Sequence, residues 1–327
     1  MQWGHIKTLF IFCFLILDVY LLFVFLEKQE AADYRVIDNP DTSIEDQLKQ
    51  EDIDISASLD FEELEESYIS VTPRPFADKD LDRVKEFDKQ TATVVDKSLL
   101  VSRMDEPVQL SEDTTKEDVK EWVHSNILFP EDYLYWNWNK EMNVILFFQK
   151  KSGRPVYYNQ NGLLLLFLND DNEILFYTQT VLGEAEAEGE EKKLIEPINA
   201  IGELYKSNEL YSEDEVTSVD VGFHTMIPLE NGKQIFAPTW KVMVNNEKDF
   251  FVNAIEGRIF LSDEQEFLQE TLSSIADKIK KSKQDDSFKA FIESELEKKM
   301  DLSRGGKRRD IAFQRIGIGK HRQRLLY

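Results

Sequence analysis

Four histidines, His5, His124, His224 and His321, are the side chains best suited to proton transfer or metal ligation in this 327-residue chain, and none stands in HExxH or another ligand spacing. His124 sits beside Trp122 in a helical pattern and His224 in a strand pattern, settings in which a structural histidine is commoner than a ligand. Neither a G-x-S-x-G elbow, a P-loop nor a G-x-G-x-x-G turn is present. Carboxylate pairs such as Glu264 with Glu266 and Asp52 with Asp54 resemble acid-base couples. With 63 Asp and Glu residues, however, such coincidences are expected. The oxygen-rich run Asn169-Asp170-Asp171-Asn172-Glu173 lacks the twelve-residue calcium-loop pattern with its central glycine and reads as a hairpin turn. The expectation is no enzyme, no cofactor and no metal. Cys13 is the single cysteine, so there is no disulfide framework.

Asp18 is different, because its surroundings demand a partner. It interrupts Leu9 to Leu26, an otherwise apolar run of eighteen residues. At about 1.5 Å per residue this run is just long enough to cross a hydrocarbon core of roughly 30 Å, and it reads as a transmembrane helix. A secretory signal peptide could use Lys7 as its charged region. Its apolar part would be overlong, and Glu27-Lys28-Gln29-Glu30 offers no small-residue cleavage site. A buried helix of a soluble core is a third reading, but such a helix normally keeps a solvent face.

A carboxylate at the bilayer centre costs about 2.5 to 3.5 kcal/mol on insertion scales. Helical spacing places Ile11, Phe14, Leu15, Leu21, Leu22 and Phe25 on the face of Asp18, giving a stripe of large apolar groups around one acid. No small-xxx-small pair is present, so close backbone approach is not expected. The stripe is expected to dock a second transmembrane helix; the alternative is a protonated Asp18 facing lipid beside a water defect. Orientation stays open, since Lys7 precedes the run and Lys28, Arg35 and Lys49 follow it.

The elements beyond the run suggest α+β architecture. Net charge is -24, which argues against nucleic acid as a partner. Expected divisions are an N-terminal segment (1–8), the membrane helix (9–26), an acidic linker (27–50), two α+β subdomains (51–112 and 113–262), and a charged helical extension with a basic tail (263–327). In the first subdomain, strands are expected at Glu66–Thr72 and Thr93–Val101 around a helix at Ala77–Phe87 capped by Asp78 or Asp80. The second opens with an amphipathic helix bearing Val119, Trp122 and Val123 on one face. Strands follow at Asn143–Phe148, Val156–Asn159, Leu163–Leu168 and Glu173–Thr178.

An acidic loop (Gly183–Lys193) then leads to a helix (Ile195–Tyr205) and strands near Val216–Ile227, Lys233–Val244 and Phe250–Phe260. Asn231-Gly232 and Asn245-Asn246 supply turns. A helix followed by an antiparallel meander thus occurs twice. In the run Tyr133 to Trp138, strict alternation puts Tyr133 and Tyr135 on one side and Trp136 and Trp138 on the other, one set being core and the other a possible protein-binding patch. Past Phe260, the positions Phe267, Leu268, Leu272, Ile275, Ile279, Phe291 and Leu296 suggest one or two amphipathic helices. The basic tail from Arg304 reads as a disordered appendage, or as a segment that touches anionic polymers or lipid.

Several of these residues together resemble one family. Trp3, Lys7 and Thr8, then Phe14-Leu15-Ile16-Leu17-Asp18 and Glu27-Lys28, look like the start of YycI, a membrane-anchored regulator in Bacillota. The likeness continues through Tyr157-Tyr158-Asn159, Gly162, Leu168-Asn169, Ala237-Pro238-Thr239-Trp240, Val252-Asn253-Ala254 and Gly257, spanning residues 2 to 262 in order. It implies a cytoplasmic N-terminus, an extracytoplasmic body in two parts, and association with a YycH-like protein and the sensor histidine kinase WalK (YycG), whose two-component system governs cell-wall metabolism. It also implies that transmembrane helices carry much of the kinase contact. By that likeness, Trp3, Lys7, Tyr157, Tyr158, Pro238, Trp240, Asn253 and Gly257 are pattern residues of structural character. The Pro238 and Asn253 patterns are also similar to PepSY-type modules, a fold-level analogy. Rival functions are therefore a PepSY-like inhibitor or chaperone of a secreted protease acting through a free sheet edge, and an envelope hydrolase.

Overall fold

The computed structural model describes residues 43–302, apart from 63, 111–113 and 229–231, together with Lys7, Ile11, Phe14, Leu15, Leu17, Val19, Tyr20 and Leu22. Trp3, Asp18, Leu21, Phe25, Asn231 and the tail from Arg304 lie outside the described residues, so the stripe around Asp18 is described only at Ile11, Phe14, Leu15 and Leu22. Those four are helical, and each exposes more than half of its surface. Among the described residues, no helix is long and apolar enough to cross a membrane.

Helix α1 (Ile44–Gln50) and the short β1 (Asp54–Ile55) precede β2 (Glu65–Arg74), α2 (Asp78–Val84), β3 (Gln90–Val95) and β4 (Leu99–Gln109). Next come α3 (Lys116–Asn126), β5 (Tyr133–Asn139), β6 (Val144–Lys151), β7 (Arg154–Tyr157), β8 (Leu163–Leu168), β9 (Glu173–Gln179) and β10 (Val181–Lys193). Helix α4 (Pro197–Lys206) leads to β11 (Glu215–Pro228), β12 (Gln234–Val244), β13 (Lys248–Asn253), β14 (Ile259–Phe260) and α5 (Glu264–Lys281). A last helix, α6, covers 286–302.

The fold is α+β, with the strands in two largely antiparallel parts joined through β7. One part has the order β10-β2-β12-β11, with β13 and β14 beyond β12; the other runs β6-β8-β9-β4-β3, with β5 also on β6. Strand β7 pairs parallel with β11 through Phe223 and Val156, and antiparallel with β6 through Lys150 and Pro155. Strand pairing crosses the 112/113 boundary: β2 joins β10 and β12, whereas β4, with β3 on its far side, joins β9. The cause is burial, since Ile69 and Val71 of β2 complete an apolar cluster with Val156, Leu182, Phe223 and Phe236.

The second part is covered on both faces, and the reason is visible in Leu163–Leu168, which has no polar residue to offer to water. Alternation sends Leu163, Leu165 and Phe167 of β8 to one cluster, with Val144, Leu146 and Phe148 of β6. Leu164, Leu166 and Leu168 go to the opposite cluster, with Ile145 and Phe147. Helix α3 covers this second face through Val119 and Val123. Helices α5 and α6 cover the first, through Leu268, Leu272, Ile275, Ile279, Ile292 and Leu296. A fully apolar strand is stable only when both sides are dry.

Four expectations are corrected. The strand expected at Thr93–Val101 is the end of β3 and the start of β4, reversed at Asp96 and Lys97, which have φ of 49° and 58°. Apolar residues on both sides hide a turn that carries no glycine. The acidic loop at Gly183–Lys193 is strand β10, in which Ala185 and Ala187 pair with Val71 and Ile69 of β2 while Glu184 and Glu186 face solvent. Glutamate is a poor strand former, but on a sheet edge its charge discourages pairing with another chain. The strand expected at Phe250–Phe260 breaks after Asn253. Its Oδ1 accepts from the Ile255 and Glu256 amides at 2.9 Å, and Gly257 takes φ +73° to complete the turn. Helix α2 is capped by Ala77, with Asp80 reaching back to accept from the Ala77 amide at 2.9 Å.

Asp80 also accepts both bonds of a forked contact from Arg74, at 2.9 and 3.1 Å.

Candidate functional site

A bulge builds the site. Tyr135 pairs with Phe147 but Asn137 pairs with Leu146, so Trp136 is an extra residue in β5. The bulge breaks the alternation expected from sequence. Tyr133, Tyr135 and Trp138 all pack toward the α3 side, whereas Trp136 alone turns to the opposite face. There its ring lies 5.0 Å from Phe148, 5.7 Å from Tyr157 and 5.9 Å from Tyr158. The cluster forms the floor of a cleft of about 910 Å³ between the two parts of the sheet, also lined by Phe61.

The walls are charged. Lys241 of β12 lies 3.0 Å from Asp220 and 3.7 Å from Asp249, with its ammonium 5.3 Å from the centre of the Trp136 ring. Asp249 Oδ1 is buried without a hydrogen bond. Desolvation pushes its pKa above the ordinary carboxylate range, and Lys241 opposes that rise. Glu264, at the start of α5, accepts from Trp136 Nε1 at 3.0 Å, from Asn139 Nδ2 at 3.0 Å and from Asn137 Nδ2 at 3.3 Å. Burial raises the Tyr158 phenol far beyond its usual range, and the charges of Glu264, Asp249 and Asp263 push it further. The cleft thus sets aromatic rings beside a group of carboxylates.

The pattern residues hold this frame. Tyr157 is buried against Gly222, where an added Cβ would meet its ring at 2.4 Å. Tyr158 takes φ +47° at the end of β7 and faces Phe251 and Phe267. Trp240 is buried, donates from Nε1 to the Ile195 carbonyl at 2.9 Å, and meets Phe61 edge-on. The Pro238 carbonyl accepts from the Ala254 amide at 2.8 Å. Asn253 and Gly257 form the turn after β13. Lys7 is helical and exposed.

The histidines divide. His5 and His321 lie outside the described residues. His124 is exposed and pairs with Glu131 at 2.8 Å. His224 stacks on Phe260; its Nδ1 faces the Thr225 carbonyl at 3.1 Å and its Nε2 faces the Ser262 hydroxyl at 2.8 Å, which ties β11 to the start of α5. Nδ1–H donates to the carbonyl, leaving Nε2 to accept from the serine. Burial lowers the pKa of this imidazole below its ordinary 6.5. The unfolded chain therefore binds the proton more readily than the folded one. The full contribution is present above about pH 6.5 and declines as pH falls below it. The unfolding midpoint of the wild-type protein should fall more steeply between about pH 7.5 and 5 than that of His224→Gln, as chemical denaturation would show; equal slopes would refute the assignment.

Asn169 Oδ1 accepts from the amides of Asp171 and Glu173, and the run is the expected hairpin between β8 and β9. Among the described residues, no group of three or more His, Cys, Asp or Glu could hold a metal ion. Glu264 had been visible only as half of a coincidental carboxylate pair. Lys241, Asp220 and Asp249 carried no spacing signal at all, because they converge from three strands that meet only in the fold.

The chain matches the family described as YycI protein over residues 32–255, and it belongs to that family. The family is one of regulatory accessory proteins of the WalK/YycG two-component system. No curated protein matches. One similar solved structure is the crystal structure of an uncharacterized protein from Eubacterium rectale ATCC 33656, with 9% identity and a TM-score of 0.42 over 65% of this chain and 91% of the other.

Proposed function

We propose that this protein is a single-pass, membrane-anchored regulator whose body lies outside the cell and which binds a WalK-type sensor histidine kinase together with a YycH-like partner, thereby influencing cell-wall metabolism. The observation that carries this reading is membership of the YycI family across 32–255. The apolar run at 9–26 and its central Asp18 supply the physical means. An acid within a helix in lipid gains by meeting a polar group on a neighbouring helix. Ile11, Phe14, Leu15, Leu21, Leu22 and Phe25 then provide packing around that contact.

To bias the kinase, the regulator must bind one signalling state better than the other; a tenfold preference corresponds to about 1.4 kcal/mol. The test uses Asp18→Leu and Asp18→Asn in cells. Leucine should reduce kinase co-purification and shift regulon output, with asparagine, which keeps a hydrogen-bonding group, falling between it and wild type. If both variants match wild type in capture and in output, the intramembrane contact is wrong.

A further inference from the structure

We propose that the aromatic cleft receives a lysine or arginine side chain presented by an extended segment of a partner protein. The proposal rests on the reading of this chain as a protein-binding regulator and says where, and by what chemistry, a partner is held.

The argument is one of charge already spoken for and charge left over. Two cations line the cleft, and both are engaged. Lys241 serves Asp220 and Asp249, while Lys248 points to Glu209 at 3.5 Å and covers the Phe250 ring at 4.1 Å. Glu264 differs. Its hydrogen-bond donors, the Trp136 indole and the Asn137 and Asn139 amides, are neutral, and among the described residues no cation pairs with it. Those donors fix its direction without cancelling its charge. Asp263, next to it, spends one oxygen on the Glu266 amide as the helix cap. Carboxylate charge therefore collects on one side of the Trp136 and Tyr158 rings.

A cation satisfies both features of such a place. The ring faces attract it through their quadrupoles, and the fixed carboxylate accepts its hydrogen bonds. Arginine fits better than lysine, since a planar guanidinium can stack and donate at once. A cleft of about 910 Å³ is larger than one side chain needs, so backbone on either side of the cation enters with it. A neutral glycan would use the rings but leave Glu264 without a counter-charge.

The experiment uses the full chain in detergent and a short acetylated, amidated peptide of alternating alanine and arginine, read by tryptophan fluorescence and calorimetry. Its citrulline counterpart removes the charge while keeping the shape, and chitotetraose serves as the glycan. The arginine peptide should bind and weaken as salt rises, the citrulline peptide should bind at least tenfold more weakly, and Glu264→Gln should lose at least tenfold. Equal binding of arginine and citrulline peptides, unchanged binding by Glu264→Gln, or binding of chitotetraose alone would each overturn the proposal. The citrulline comparison needs no protein variant, so misfolding of Glu264→Gln would not shelter the idea. If wild type captures the kinase from membranes but ignores the arginine peptide, the cleft assignment fails by itself. If the peptide binds as stated but no kinase is captured, the regulator reading fails instead.

Discussion

Removing residues 264–302 is expected to abolish cooperative unfolding of the remaining body. Helices α5 and α6 lie beyond the family-matched stretch, yet they are the cover for one entire face of the second sheet part. Without them Val144, Leu146, Phe148, Leu163, Leu165 and Phe167 would meet water, and each such side chain is worth about 1.5 to 3 kcal/mol of burial. A whole domain is stable by only about 5 to 15 kcal/mol, so losing this face removes stability of the same order as the total. Deleting the helices also removes the entropy cost of ordering them, but it leaves the strands' own apolar side chains exposed.

Point changes should grade the effect. Leu272→Ala and Ile279→Ala, both at fully buried positions, should each cost about 2 to 5 kcal/mol. Urea titration followed by near-ultraviolet circular dichroism is the measurement. A truncated chain that unfolds in one sharp transition at the wild-type midpoint would show that the helices are dispensable.

The second large effect is expected at Gly222. A Cβ there would stand 2.4 Å from the Tyr157 ring and 2.7 Å from the Pro155 carbonyl, closer than real Cβ atoms come to anything. Neither neighbour can step aside, because Tyr157 is buried and Pro155 lies in β7, the strand joining the two parts of the sheet. Gly222→Ala should therefore destabilise by about 3 kcal/mol, the upper end for forced overpacking, and Gly222→Val by more. Combining Gly222→Ala with Tyr157→Leu should recover part of the loss, since the second change vacates the contested space. The comparison is of unfolding free energies for the single and double variants. A Gly222→Ala protein within about 0.5 kcal/mol of wild type would mean that β7 and β11 separate freely, contrary to the packing described.

Much of this fold could be anticipated where periodicity and burial agree. Leu163–Leu168 reads as a strand from its apolar run, and the spacing of Leu268, Leu272, Ile275 and Ile279 reads as a helix with one dry face. Each of these needs the other, although sequence alone does not join them. Phe291 marks the limit of that spacing: Ile292 is buried in the core, whereas Phe291 is only partly covered and lies under the Arg103 guanidinium.

The misses share a physical cause. Strand β10 is held by a neighbour's backbone rather than by its own apolar face, so its glutamates looked like a loop. The break at Asp96-Lys97 uses left-handed residues that are not glycine. Most of the cleft was illegible for a related reason. A single extra residue at Trp136 sends Trp138 to the α3 side and leaves Trp136 alone on the cleft face, and Lys241, Asp220, Asp249 and Glu264 come together only after β11, β12, β13 and α5 have packed. Tyr157 and Tyr158 were marked by family pattern; that they floor a cleft depends on the close approach allowed by Gly222.

The central claim is that this YycI-family protein acts by leaning on a membrane-bound kinase assembly. Photo-crosslinking from Ile11 or Leu22 in intact cells, followed by identification of the joined protein, tests it most directly. The account predicts adducts with a sensor histidine kinase that weaken in Asp18→Leu. Recovery of the chain from the soluble cytosolic fraction, with no kinase adduct, would contradict it.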